Sequence, residues 1–293
     1  MQRNSPRRVL VVLLLIACSS SCSREVLFEG ESAYNSILVS EDSEGRRYLQ
    51  FEPGGPLQSV VTPGRPLQLE LAYTRMMVAG LAFVPEPRRI LVVGLGGGSL
   101  PMFLHTLLPE ARIDVVEINP DVVAVARRYF GFQEDALLRV FVDDGRRFIE
   151  SPGPRYDLIF LDAYGPRSIP EHLATREFLA TARARLSEGG AVVGNVWESS
   201  RPLFDSMVRT YQASFPQLHT LDVPASANRI LVGLAHPERH SRADLEARAE
   251  QLEREQGVPF DLSGLVARGY EEVTELTLRG RVLTDAATRP DAR

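Results

Sequence analysis

The sequence predicts an α/β fold in which a doubly wound parallel sheet follows a small antiparallel β unit. Three observations carry that expectation. From Arg89 onward, short apolar runs alternate with segments of helical spacing, the pattern of strands covered on both faces by crossover helices. A glycine-rich turn, Gly94-Leu95-Gly96-Gly97-Gly98, joins the first such run to the first such helix. Before Arg89, residues 25–62 carry short alternating stretches separated by turn residues, as antiparallel hairpins do.

The elements follow in order. Residues 1–17 hold a basic start (Arg3, Arg7, Arg8) and an unbroken apolar run, Val9–Ala17. Such a run makes about 14 Å of helix, roughly half a bilayer core, so it suits a signal peptide rather than a spanning anchor. Leu15-Ile16-Ala17-Cys18 resembles the bacterial lipobox, which implies cleavage before Cys18 and a lipid on its sulfur. The expectation is an exported, lipid-anchored protein of the cell envelope, reaching the membrane through Cys18, or a cytoplasmic one where the signal is not used. Residues 18–24, rich in serine, read as a tether.

Residues 25–66 form the expected β unit. Ser36–Ser40 and Arg47–Phe51 flank the turn-like stretch 41–45, and Gln58–Val61 follows Pro53-Gly54-Gly55-Pro56. The central domain, 67–240, opens with helical spacing over Leu67–Phe83 that Pro85 and Pro87 end. Strand-like runs follow at Ile90–Val93, Ile113–Val116, Val140–Val142, Leu158–Leu161, Ala191–Val196 and Ile230–Leu234. Between them lie helical segments Leu100–Leu108, Pro120–Tyr129, Arg146–Glu150, Arg176–Leu186 and Leu203–Phe215. Residues 241–293 begin with a charged helix, Ser241–Gln256, with Asp244 completing a capping-box variant and Gly257 placed to stop it. This last part reads as a helical surface appendage.

Composition removes whole classes of chemistry. The 293 residues include 33 Lys+Arg, and every one is arginine. Without lysine there is no Schiff base, no P-loop lysine and no kinase-type lysine. The net charge of −5, with no arginine block interleaved with aromatics, argues against a nucleic-acid partner. Both cysteines, Cys18 and Cys22, precede the folded body, and five scattered histidines lack metal-ligand spacing, so no metal is expected.

What remains is carboxylate chemistry at a nucleoside site. The glycine turn lets backbone pass beneath a ligand, and the helix after it offers free N–H groups. Glu117 ends the next strand, where an acid can take both ribose hydroxyls. Asp143-Asp144-Gly145 follows the third strand and Asp162 the fourth. Strand ends of an open α/β sheet share one edge, so Gly94, Gly96, Gly98, Glu117, Asp143, Asp144 and Asp162 are expected to converge there. Asp143 is the preferred adenine-side acid. Asp144 serves equally as a helix N-cap, whereas for Asp162 a role at the site is preferred to that of a strand-end acid satisfying backbone N–H groups.

Together Tyr73, Gly94–Gly98, Val115-Val116-Glu117-Ile118-Asn119-Pro120, Asp143-Asp144-Gly145-Arg146 and Tyr156–Asp162 resemble the spermidine synthase (polyamine aminopropyltransferase) family. The similarity spans about Glu31 to Trp197. Asp162-Ala163-Tyr164-Gly165, Ile169–Thr175 and the late Val282-Leu283-Thr284-Asp285 resemble its bacterial spermidine synthase-like branch. The resemblance implies a Rossmann-like, class I S-adenosylmethionine methyltransferase-like sheet. It also implies S-adenosylmethionine or its decarboxylated form as co-substrate, an amine or other small nucleophile as acceptor, and a habit of forming homodimers.

Carried over residue by residue, Gln58, Glu70 and Tyr73 fall around the family's ligand pocket, Glu117 matches the ribose acid, Asp143 the adenine-side acid, and Asp162 the general base. Tyr73 and Tyr164 can orient the nucleophile or shield a sulfonium. The departures sit on the polyamine side: Gly97 and Gly165 replace aspartates, Arg75 replaces a glutamate, and Thr74 and Ala79 replace histidines. Gly97 is expected to leave room near the donor tail. The resemblance thus implies an alkyl (aminopropyl) transferase, with a methyltransferase of the same fold and a non-catalytic nucleoside-binding envelope protein as the other readings.

Overall fold

The computed structural model describes residues 24–84, 86–166, 168–197, 201–237, 240–272 and 280–288. The signal segment, Cys18, the rest of the tether before Arg24, and Pro85 lie outside the described residues.

Strands β1 (Glu25–Glu31), β2 (Ser36–Glu41), β3 (Arg47–Gln50) and β4 (Leu57–Val61) form an antiparallel meander. The β2–β3 turn is fixed locally, because Asp42 Oδ1 accepts from the Glu44 and Arg46 amides at 2.9 and 3.0 Å. The meander's apolar face (Ile37, Val39, Leu49, Phe51, Val61) closes over Val122, Val125 and Phe130 of the main domain.

Helix α1 (Ala72–Val78) continues into a 3-10 turn, Ala79–Ala82. The helix expected from Leu67 therefore begins only at Ala72. Arg75 accounts for the delay, since its guanidinium donates to the carbonyls of Leu69 and Glu70 at 2.7 and 3.0 Å and holds that stretch in an irregular path.

Then follow β5 (Arg89–Val93), α2 (Ser99–Leu107), β6 (Arg112–Glu117), α3 (Pro120–Tyr129), β7 (Leu138–Val142), α4 (Gly145–Glu150), β8 (Tyr156–Leu161), α5 (Arg176–Ala184), β9 (Leu186–Trp197) and α6 (Arg201–Ser214). The chain continues with β10 (Gln217–Asp222), β11 (Asn228–Leu234), α7 (Arg242–Gln251), α8 (Leu262–Gly269), β12 (Tyr270–Glu272) and α9 (Asp285–Thr288). The second sheet has the order β12-β10-β11-β9-β8-β5-β6-β7. Strands β5 to β9 are mutually parallel, whereas β11 is antiparallel to β9, and β10 is antiparallel to both β11 and β12. The sheet is thus mixed, correcting the expectation of a parallel one. A short turn joins β10 to β11, and such a connection pairs strands only antiparallel.

Alternate strand residues feed two cores. Ile90, Val92, Leu158 and Phe160 face α2, α3 and α1, while Leu91, Val93 and Ile159 face α4, α5 and α6. This period of two with both faces apolar is why each parallel strand reads as a continuous run. The expected appendage is likewise corrected. Leu245 and Ala249 of α7 and Leu262 and Val266 of α8 are buried in the first core, against Leu221 and Val223, and β12 completes the sheet edge. The charged face of α7 dominates its sequence and hides that narrow apolar stripe.

Candidate active site

Strand order reverses at β5: the chain proceeds to β6 and β7 on one side, then returns to β8 and β9 on the other. Crevices at the carboxyl ends of such strands are where open α/β sheets take ligands. The ladder runs past the strand ends, with Gly94 N donating to Val116 O (2.8 Å), Asp162 N to Val93 O (2.9 Å) and Asp143 N to Glu117 O (3.1 Å). A cavity of about 310 Å³ opens at this edge, walled in part by Gln58, Tyr73, Gly94, Gly96, Glu117, Asp144 and Asp162.

Two glycines of the turn are required by geometry. Gly94 has φ +102°, and a Cβ there would stand 2.4 Å from the Asp162 carbonyl oxygen; Gly96 has φ +54°, and its Cβ would meet Ser59 Oγ at 2.6 Å. Ser59 also accepts from Gly97 N at 2.8 Å, so the β4 strand pins the turn from below. Glu117 is 8% exposed. Its Oε2 accepts from Leu95 N (2.9 Å) and its Oε1 from Asn119 N (3.0 Å). Burial pushes its carboxyl above the usual range against those backbone donors.

Two of the residues expected at the strand edge do not face the cavity. Gly98 caps α2 and lies against Phe132, whose ring a Cβ would meet at 2.6 Å. Asp143 turns aside, its Oδ1 accepting from Asp144 N (2.7 Å) and Arg147 Nε (2.5 Å). The preference for Asp143 as the adenine-side acid is therefore corrected: Asp144 lines the cavity. Successive residues leaving a strand point to opposite sides, so only one of the pair can. Asp144 also caps α4, accepting from Arg147 N at 2.9 Å, and meets His172 Nε2 at 2.7 Å. Burial opposes its charge, but Arg147 N–H and His172 outweigh it and hold the carboxyl below the usual range.

Asp162 closes the other end of the cavity. Its Oδ1 accepts from Asn195 Nδ2 at 2.9 Å, and Tyr73 O–H stands 3.4 Å from Oδ2 and 3.5 Å from Gln58 O. Desolvation raises the Asp162 carboxyl to about 7, with Asn195 and Tyr73 pulling weakly the other way. The Tyr73 hydroxyl is itself raised well above its ordinary value, first by burial and then by the Asp162 charge, so it stays protonated. Asn195 is held in turn by Asn228 Nδ2, which donates to its Oδ1 at 2.9 Å. Asn195 escaped sequence reading, although a lone amide inside the apolar run Ala191–Val196 was a usable signal. Ser59 and His172 escaped it too; His172 sits in the Ile169–Thr175 motif, but nothing in that motif marks it as a partner of Asp144. Tyr164 spends its hydroxyl on β9, donating to Asn195 O (3.0 Å) and accepting from Trp197 N (2.8 Å); only its ring can shield a ligand.

The departures sort themselves by position. A Cβ at Gly97 would meet both Phe130 and Ser59 at 3.0 Å. It points into packed side chains, so the expected room near a donor tail is absent. Glu70 bonds Thr62 Oγ1 and Gln68 Nε2 and lies outside the cavity. Ala79 is buried in the first core. Gly165 alone among the replaced positions lines the cavity, and a Cβ there would make only an ordinary contact, with Ser168 O at 3.5 Å.

Fold and site together define the class: a Rossmann-like, methyltransferase-type α/β enzyme with its pocket at the sheet's switch point. Within that class the chain belongs to the spermine/spermidine synthase family, for residues 70–226 match the Spermine/spermidine synthase domain. It is 36% identical over 255 residues to the polyamine aminopropyltransferase of Vibrio vulnificus, covering 83% of this chain and 84% of that protein. It is also 36% identical over 201 residues to the eEF1A lysine and N-terminal methyltransferase of Mus musculus, covering 62% of this chain but 29% of that protein. The crystal structure of human methyltransferase-like protein 13 in complex with SAH matches with a TM-score of 0.60 at 32% identity, over 65% of this chain and 94% of that one. The chain is thus a transferase of the spermidine synthase type.

Proposed function

We propose that this enzyme transfers an aminopropyl group from decarboxylated S-adenosylmethionine to an amine acceptor. The observation that carries the reading is Asp162, whose carboxyl is raised to about 7 and which lines the nucleoside cavity while bonding Tyr73 and Asn195 of a second one. Gln58, Tyr73 and Tyr164 line both the nucleoside cavity and a second one of about 260 Å³, which Asn195, Trp197 and Asn228 also wall. Glu117 would accept the ribose hydroxyls and Asp144 would face the adenine. The acceptor, entering through the second cavity, must lose a proton before it can attack. Asp162 accepts that proton; nitrogen then bonds to the carbon beside S⁺, and the C–S electron pair returns to sulfur, leaving neutral methylthioadenosine. Incubating residues 24–293 with this donor and an aliphatic diamine should release methylthioadenosine; no nucleoside product from any amine would overturn the reading.

The methyltransferase relative and the SAH complex support a second reading, methyl transfer from S-adenosylmethionine itself, which would release S-adenosylhomocysteine instead. For location, we propose that Cys18 carries lipid and anchors the exported protein at the cell envelope. Labelling with a fatty-acid probe should vanish in Cys18→Ala, and a soluble, unlabelled wild type would overturn it. The family's habit supports a homodimer, which sedimentation would register as twice the chain mass.

A further inference from the structure

The late motif Val282-Leu283-Thr284-Asp285 has no part in the transfer chemistry, yet its backbone is tied along two helices. Arg281 N donates to Ser206 Oγ (3.1 Å) and Leu283 N to Thr210 Oγ1 (2.9 Å), while Arg176 N donates to Leu283 O (2.9 Å). Two extended residues advance about 6.6 Å and four helical residues about 6 Å, so the strap and α6 stay in step. A Cβ at Gly280 would stand 2.2 Å from Ser206 N, so the contact is made backbone to backbone.

The strap delivers Asp285 to Arg146. Oδ1 accepts from Arg146 Nη1 (2.7 Å) and Thr175 Oγ1 (2.7 Å), and Oδ2 from Arg146 Nη2 (2.6 Å). Asp285 N in turn donates to Glu177 Oε2 at 3.0 Å. This is a bidentate fork on a guanidinium whose side chain is 20% exposed. The same guanidinium donates to Glu150 Oε1 (2.7 Å) and reaches the His172 carbonyl (3.3 Å). Arg146 follows Asp144 and Gly145, and those two residues, with Pro170, His172 and Leu173, wall the nucleoside cavity.

We infer that Asp285 is a positioning residue for the nucleoside pocket, acting through Arg146 to hold the α4 cap and the 170–173 wall against each other. The inference rests on the nucleoside-binding reading above. Without the Asp285 carboxylate, Arg146 keeps only Glu150 as an anionic partner among the described residues and is drawn off the His172 carbonyl. The wall then loses its outer brace.

The test uses the full chain, with calorimetric titration of methylthioadenosine and S-adenosylhomocysteine into wild type, Asp285→Asn, Arg146→Lys and the double variant. Asp285→Asn should weaken nucleoside binding about tenfold, as displaced positioning groups do. Arg146→Lys, which keeps charge but loses the fork, should match it, and the double variant should lose no more than the larger single loss. In turnover, the donor KM should rise by the same factor while the acceptor KM and kcat at saturating donor hold. If Asp285→Asn does not fold, Arg146→Lys carries the test alone. Unchanged affinity in the folded variants, additive losses, or equal rises in both KM values would overturn the inference. Absence of nucleoside binding by the wild type would instead overturn the reading beneath it.

Discussion

The two halves of the site are built differently. The donor half is backbone: β5, β6 and β8 end in register, and Gly94, Glu117 and Asp162 follow from that register, with the Gly94 and Asp162 amides still paired in the ladder. The acceptor half is side chains from separate segments, residues 56–58, 71–73, 164, 195–197 and 226–228. Backbone-built sites change little when a side chain is replaced, whereas assembled ones are free to take new substrates. The family's donor features survive in this chain, whereas of its replaced positions only Gly165 lines the cavity, beside Asp162.

Several variants press on the contrast. The largest effect belongs to Asp162→Asn, where the halves meet: turnover should fall about 10³-fold, within the range for loss of a general base. Methylthioadenosine affinity should stay within about threefold of the wild type, because Glu117 and the glycine turn are untouched. Wild-type kcat/KM should climb through a limb near pH 7 as Asp162 ionises, and a flat profile would remove Asp162 as the base. The same burial exacts a structural cost. The folded protein keeps a proton on Asp162 that the unfolded chain releases near 3.8, so stability falls as pH rises from 3.8 to about 7, by about 4 kcal/mol in all. Asp162→Asn should therefore raise Tm at pH 8 and leave it nearly unchanged at pH 4, which paired melts would show.

On the donor side, Glu117→Gln should weaken methylthioadenosine by about tenfold or more, since the amide cannot accept from both Leu95 N and Asn119 N. An unchanged Kd would mean that the buried acid serves the turn and not the ligand. The smallest change is at Gly165, in the cavity near Asp162. Gly165→Asp has space to project, with Ser168 O the nearest atom at 3.5 Å. It should lower the KM for a diamine about fivefold, the worth of one partly exposed ion pair, with donor KM unmoved.

Much of the donor half was legible in sequence because it obeys local rules: a strand, a glycine turn, a helix, an acid at each strand end. The strand register placed Glu117 and Asp162 without knowledge of any distant contact. What failed was what depends on direction or on remote packing. Asp143 and Asp144 are adjacent, and only the pleat leaving β7 decides which one faces the ligand. Gly97 looked like an opened pocket, but Phe130 and Ser59 fill the space, and both lie far from it in sequence. Asn195, Ser59 and His172 act through tertiary contacts that no spacing encodes. Helix α7 hid its buried stripe behind charge, and β10 showed no apolar run, since only Leu218 and Leu221 of its six residues are apolar.

The most direct test of the account is to name the nucleoside product. The enzyme is given S-adenosylmethionine, its decarboxylated form and a panel of amines together, and the products are resolved by mass spectrometry. The account predicts methylthioadenosine accumulating one for one with an aminopropylated amine. S-adenosylhomocysteine as the sole product, with a methylated acceptor, would contradict it.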